Sequence, residues 1–141
     1  MLKFLEKHKV FLVFLPLIIY WIALFVGTSI PVQAIPSIFE FGDKLEHMSA
    51  YAGLSILLNL TIAFQNKFGN IKTKHNLYTF LAAASYGIID ELHQIFIPGR
   101  SCELLDFVAD LIGISLGLII LNLIMKIENY RLQKIQPRMD I

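Results

Sequence analysis

The sequence predicts an all-α integral membrane bundle of four transmembrane helices with both termini in the cytoplasm. Three observations lead there. First, 56% of the 141 residues are hydrophobic and only 16% are charged, where about 25% charged is usual for soluble domains. A chain this short leaves about a third of its unfolded-state surface exposed, so the apolar excess has no soluble core large enough to hide it. Second, four apolar stretches each have about the length a bilayer requires. Third, lysine and arginine are distributed unevenly between alternate loops. The same composition excludes a disordered chain, and a net charge of +1 excludes a nucleic-acid binder that works by bulk electrostatics. The single cysteine, Cys102, excludes an internal disulfide and a cysteine-based zinc knuckle. With no repeat or linker, residues 1–141 read as one domain.

The first span, about 10–30, is 21 residues without a charge. As a helix it would run about 31 Å. Pro16 and Gly27 are tolerated inside a membrane helix. Lys3, Lys7 and Lys9 with Val32-Gln33-Ala34 resemble a signal peptide, but such apolar cores run about 7–15 residues, which favours a retained anchor. The second span, about 48–64, is shorter and carries Ser49, Ser55, Asn59 and Thr61. The third, about 77–97, carries Asp90, Glu91, His93 and Gln94 in its last two turns, and Ile97-Pro98-Gly99-Arg100 ends it. The fourth, about 104–125, has Asp106 and Asp110 in its first two turns. A basic tail, 126–141, continues the helix and frays near Pro137.

Ten of the twelve basic residues lie at the N-terminus, in the second loop or in the tail. The first and third loops hold only Lys44 and Arg100. The positive-inside rule then puts both termini in the cytoplasm, which demands an even number of spans. Eight of the eleven acidic residues (Glu40, Asp43, Glu46, Asp90, Glu91, Glu103, Asp106, Asp110) fall in the outward loops or the helix turns beside them. Charges near a bilayer centre cost about 2.5–3.5 kcal/mol each on insertion scales, so such a layer implies a use.

Helical spacing gathers these residues into stripes. Lys44, His47, Tyr51 and Ser55 share a face of the second helix. Ala83, Gly87, Asp90 and Gln94 share one on the third, with Glu91 and His93 at its margins. Asp106, Asp110, Gly113 and Gly117 share one on the fourth, where Gly113 and Gly117 form a GxxxG pair that lets helices approach closely. The expected result is an outward polar cleft among three helices, with Arg100 at its mouth.

The stretch Asp43-Lys44-x-x-His47-x-x-x-Tyr51-x-x-Leu54 resembles the first motif of the VanZ-like membrane proteins. A second stretch, Asp90-Glu91-x-x-Gln94-x-Phe96-x-Pro98-Gly99-Arg100-Ser101 followed by Asp106 and Gly113, resembles their longer signature. The likeness covers roughly residues 10–125. It departs at Asp110, where family members commonly carry asparagine. The resemblance implies a bacterial cell-envelope protein of the cytoplasmic membrane, related to a teicoplanin-resistance protein, and carries over no catalytic mechanism.

The residues themselves suggest roles. His47, with an ordinary pKa near neutrality, is the acid/base candidate, and Asp90 and Glu91 are its catalytic companions. Lys44, Tyr51, Gln94, Arg100, Asp106 and Asp110 are the ligand-binding candidates. Arg100 offers a fork for phosphate, or else an ion pair with Asp90 or Asp106. Asp90 and Glu91 with His47 and His93 hold metal-ligand chemistry, yet no compact HxxxH or HxxE spacing supports a metal, and none is assigned. No cofactor is named. Tyr51 has the alternative of marking the membrane interface. The preferred function is binding of an envelope lipid head group or lipid-linked cell-wall precursor, altering glycopeptide access. One alternative is an enzyme on a lipid-linked phosphate or acyl substrate, with His47 as acid/base and Arg100 as anion clamp. Another is a small transporter or accessory subunit, which fits poorly because the inner halves of the helices lack ionisable residues.

Overall fold

A computed structural model describes residues 1–31 and 42–135. The described residues are helical, with no strand among them. A short helix α1 (Leu2–Lys7) leads through a π-helical turn, Val10–Phe14, into α2 (Leu15–Thr28). The wide turn has a local cause. Pro16 has no N–H to give to the carbonyl four residues earlier, and Leu15 N–H reaches back five residues to Val10. Helix α3 (Gly42–Phe64) is followed by a single turn, α4 (Gly69–Thr73), then α5 (His75–Gln94) and α6 (Leu104–Ile135).

Three helical segments are long and apolar enough to cross a membrane: Val10–Thr28, Gly42–Phe64 and Leu104–Lys134. Helix α5 has the length, at 20 residues, but its polar positions keep it below that apolarity. The expected count of four is therefore three clear spans plus α5. The second span starts six residues before the expected Met48, because Asp43 favours the positive end of a helix dipole. Lys44 and His47 are thereby inside the helix. The third stops at Gln94 rather than Ile97. Short turns through Phe96 and Ile97 follow, and Arg100 N–H bonds back to Ile97 O at 3.1 Å. Pro98 and Gly99 are the middle of that turn, with Gly99 at φ 80°, a left-handed conformation glycine adopts without strain. The expected tail is helical as far as Ile135, so α6 extends about 48 Å, well beyond a bilayer core. Glu40, the Val32-Gln33-Ala34 site and Pro137 lie outside the described residues.

Helix α3 is the centre, packed along α6 and also against α5 and α2. Leu54, Leu58, Tyr51, Ala83, Ile114 and Leu17 make one buried cluster. Val13, Leu60, Ala63, Phe64 and Leu121 make another. Val13 and Leu17 thus tie the first apolar segment into the core, and Tyr20 OH donates to Ala50 O at 3.0 Å. The outside is apolar, with Ile18, Ile22, Ile89, Leu92, Ile119 and Leu123 more than half exposed. Hydrocarbon is the solvent such a surface suits.

Candidate functional site

The start of α3, the end of α5 and the start of α6 meet at one end of the bundle. On these three helices the polar stripes expected from spacing face inward. His47 is 7% exposed, Asp90 2%, Glu91 4%, Gln94 2%, Asp106 2% and Asp110 0%. The α3–α6 contact that allows this is glycine-lined. A Cβ on Gly113 would fall inside contact distance of the Met48 carbonyl oxygen, and one on Gly117 would collide with Ser55 Oγ.

His47 Nδ1 lies 2.9 Å from Asp110 Oδ1 and 3.9 Å from Glu91 Oε1. Glu91 turns its other oxygen, Oε2, to the Glu103 backbone N–H, which donates at 3.0 Å. Lys44 Nζ lies 2.6 Å from Asp106 Oδ1 and 2.8 Å from Glu103 Oε2. It is the rim of the cluster, with its side chain 27% exposed. Its ammonium, with a hydrogen bond from Ser101, holds the Glu103 carboxyl below the usual carboxylate range. Tyr51 OH donates a long hydrogen bond, 3.4 Å, to Asp90 Oδ2. Among the described residues, Glu91 Oε1, Asp110 Oδ2, Asp90 Oδ1 and Gln94 Nε2 are buried without a hydrogen-bond partner. The cluster is thus closed and rich in acceptors, rather than an open trough.

Arg100 sits differently from the expectation. Its Nε donates to Ile30 O at 3.0 Å and its Nη2 to Gly27 O at 3.2 Å, while Nη1 reaches Gln94 Oε1 at 3.5 Å. These contacts put a cation at the C-terminal end of α2, where the helix dipole and the last carbonyls favour it. Neither Asp90 nor Asp106 pairs with it among the described contacts. Arg100→Lys keeps the charge but loses the fork. It should lower stability on the order of 1–2 kcal/mol, read as a fall in the thermal midpoint of the purified protein. An unchanged midpoint would show that the α2 contacts contribute nothing.

His93, a margin residue in the stripe, stacks on Phe25 (centroids 4.9 Å apart, planes at 27°) and stands outside the cluster. Cys102 is free and exposed. Two features were missed by spacing. Glu103 joins Lys44 to Glu91 from a loop, where no periodicity signals it. Asn59, fully buried, bonds Asn76 Oδ1 and Thr79 Oγ1 at 2.9 and 3.1 Å, and His75 Nδ1 lies 2.9 Å from its Oδ1. One more step of four along the face of His47, Tyr51 and Ser55 reaches Asn59.

Chemically the cluster offers a carboxylate-oriented imidazole beside further carboxylates from two other helices. One ligand atom each from His47, Glu91 and Asp106 lie within 4.8 Å of one another. Comparison with known families gives a match between residues 9–125 and the family model described as VanZ/LLP1. No curated protein and no solved structure matches the chain.

Proposed function

The chain belongs to the VanZ/LLP1 family, and from that premise we propose a bacterial cytoplasmic-membrane protein of four spans that binds a phosphate-bearing envelope lipid head group or lipid-linked cell-wall precursor. Helix α5 is the fourth span in this reading. Its polar residues Thr79, Asp90, Glu91 and Gln94 are buried in the bundle while Leu81, Ile88, Ile89 and Leu92 face outward. Low average apolarity is no obstacle to crossing when the polar face is covered by protein. The end opposite the cluster carries Lys9, Lys67, Lys72, Lys74 and Lys126, which argues for both termini inside and the cluster outside.

One observation carries the binding role. Side chains of both charge signs converge at one end of three helices, with Lys44 at the rim and Asp106, Glu91 and His47 behind it. A head group bearing phosphate together with hydroxyl or ammonium groups matches that pairing of cation and acceptors. Occupancy of this site would alter precursor access and so glycopeptide susceptibility, teicoplanin included. Native mass spectrometry of the purified protein should release a phosphate-bearing lipid, and Lys44→Ala should lower its occupancy several-fold. Equal, background-level adducts on both proteins would sink the reading.

The His47–Asp110 contact at 2.9 Å favours a second reading, an enzyme on the same lipid class. A carboxylate that fixes the imidazole tautomer is the usual companion of a general acid/base. In that case His47→Gln would abolish turnover of a lipid phosphate or ester while leaving lipid adducts in place.

A further inference from the structure

We propose that His47, Glu91 and Asp106 form a binding site for a divalent transition-metal cation, with Asp110 holding the imidazole in place. The ligand atoms come from α3, α5 and α6 and lie within 4.8 Å of one another. Donors on one zinc-sized ion stand about 3–4 Å apart, given metal–ligand bonds of about 2.0–2.2 Å. An inward movement of about 1 Å, within reach of side-chain torsions, closes the set. All three side chains are buried, at 7, 4 and 2% exposure.

The second observation is independent of the clustering. Glu91 Oε1 has no hydrogen-bond partner although Glu91 is only 4% exposed, and it faces His47 at 3.9 Å. Its other oxygen is fixed by the Glu103 N–H, so the carboxylate is held with one acceptor aimed into the set. Asp110 Oδ2 is likewise unpartnered at 0% exposure. Such buried acceptors are costly unless a cation meets them. Among the buried carboxylates Lys44 meets Asp106 Oδ1, and its other partner, Glu103, is half exposed. Four buried carboxylates, Asp90, Glu91, Asp106 and Asp110, then face one lysine and one imidazole.

The donor types select the metal. Imidazole with two carboxylates suits Zn²⁺ or Mn²⁺ better than the all-oxygen shells of Ca²⁺ or Mg²⁺. With Asp110 Oδ1 on Nδ1, Nε2 is the ring nitrogen left to ligate; Glu91 Oε1 stands 3.9 Å from Nδ1, so the inward movement carries it towards Nε2. A carboxylate in that position orients and strengthens a ligating imidazole, and its loss from known sites costs about 10–100-fold in affinity. Three protein ligands leave a coordination position open. Only the step from there to a bound lipid phosphate rests on the head-group reading.

The test uses the full chain, purified in detergent, stripped with chelator and equilibrated with Zn²⁺ or Mn²⁺ alone. After desalting, elemental mass spectrometry should find about one ion per chain. Glu91→Gln and Asp106→Asn should weaken affinity at least tenfold, and Asp110→Asn about 10–100-fold. His8→Gln, which changes an exposed histidine just past the end of α1, should bind as the wild type does. Metal should also raise the thermal midpoint of the wild type and not of Glu91→Gln, a variant that removes one buried charge and keeps the shape. Retention equal in wild type and Glu91→Gln, or no midpoint shift with either metal, would overturn the site. No lipid is added in this assay, and lipid adducts measured with chelator present report on the head-group reading separately.

Discussion

Gly113→Ala should separate α3 from α6 and lower stability by about 1–3 kcal/mol, and Gly113→Leu should prevent a stable bundle. The reason is that the obstacle is backbone. A Cβ at Gly113 would lie within contact distance of the Met48 carbonyl oxygen, with its carbon 2.9 Å and its Cα 3.0 Å away. No rotamer change relieves a clash with main chain, so the helices must part. Met48 adjoins His47, and Asp110 precedes Gly113 by less than one turn. Separation therefore also lengthens the 2.9 Å His47–Asp110 contact. Gly27 provides the control, since a Cβ there meets nothing within 4 Å. Gly27→Ala should be neutral or stabilising by up to about 1 kcal/mol. Thermal unfolding of the three variants checks the ordering, and equal midpoints for Gly113→Ala and Gly27→Ala would contradict it.

His47→Leu should cost about 3–5 kcal/mol, and adding Asp110→Leu should restore most of it. The single change strands Asp110, which is 0% exposed, without the ring that now meets its Oδ1. Removing both partners takes away the stranded carboxylate together with the ring that met it. Magnitude decides what kind of contact this is. Hydrogen bonds between membrane helices average only about 0.6 kcal/mol, so a loss of that size would mark an ordinary interhelical bond. A loss several times larger, with recovery in the double variant, would mark a buried charge pair. A double-mutant cycle of unfolding free energies in bicelles measures the difference.

Much of the architecture is written in local pattern. The uncharged run of the first span and the apolar length of the fourth determine membrane helices with little help from context, because hydrocarbon leaves the backbone few alternatives. The stripes were legible for the same reason: steps of three and four put Lys44, His47, Tyr51 and Ser55 on one face whatever that face meets. The GxxxG pair likewise foretold a close helix contact, and Gly113 and Gly117 lie where α3 and α6 touch. Boundaries were less legible. Apolar length begins the second span at Met48, although helical spacing already places Lys44 and His47 on its face. The helix starts at Gly42 because the side chains of Lys44 and His47 are met by α5 and α6 rather than by lipid.

The sequence by itself determined the solvent of this protein and the inward face of each helix, since composition and helical periodicity need no partner. Only the tertiary structure decided who meets whom across the helices. It paired His47 with Asp110 and Lys44 with Asp106, and engaged Arg100 with the end of α2 instead of the carboxylates. It also assembled the His47, Glu91 and Asp106 set, which no spacing along one helix announces. The physical reason is that periodicity gives the direction of a side chain about its own axis. Depth, crossing and register between helices come from packing, and here the Gly113 contact with α3 sets them.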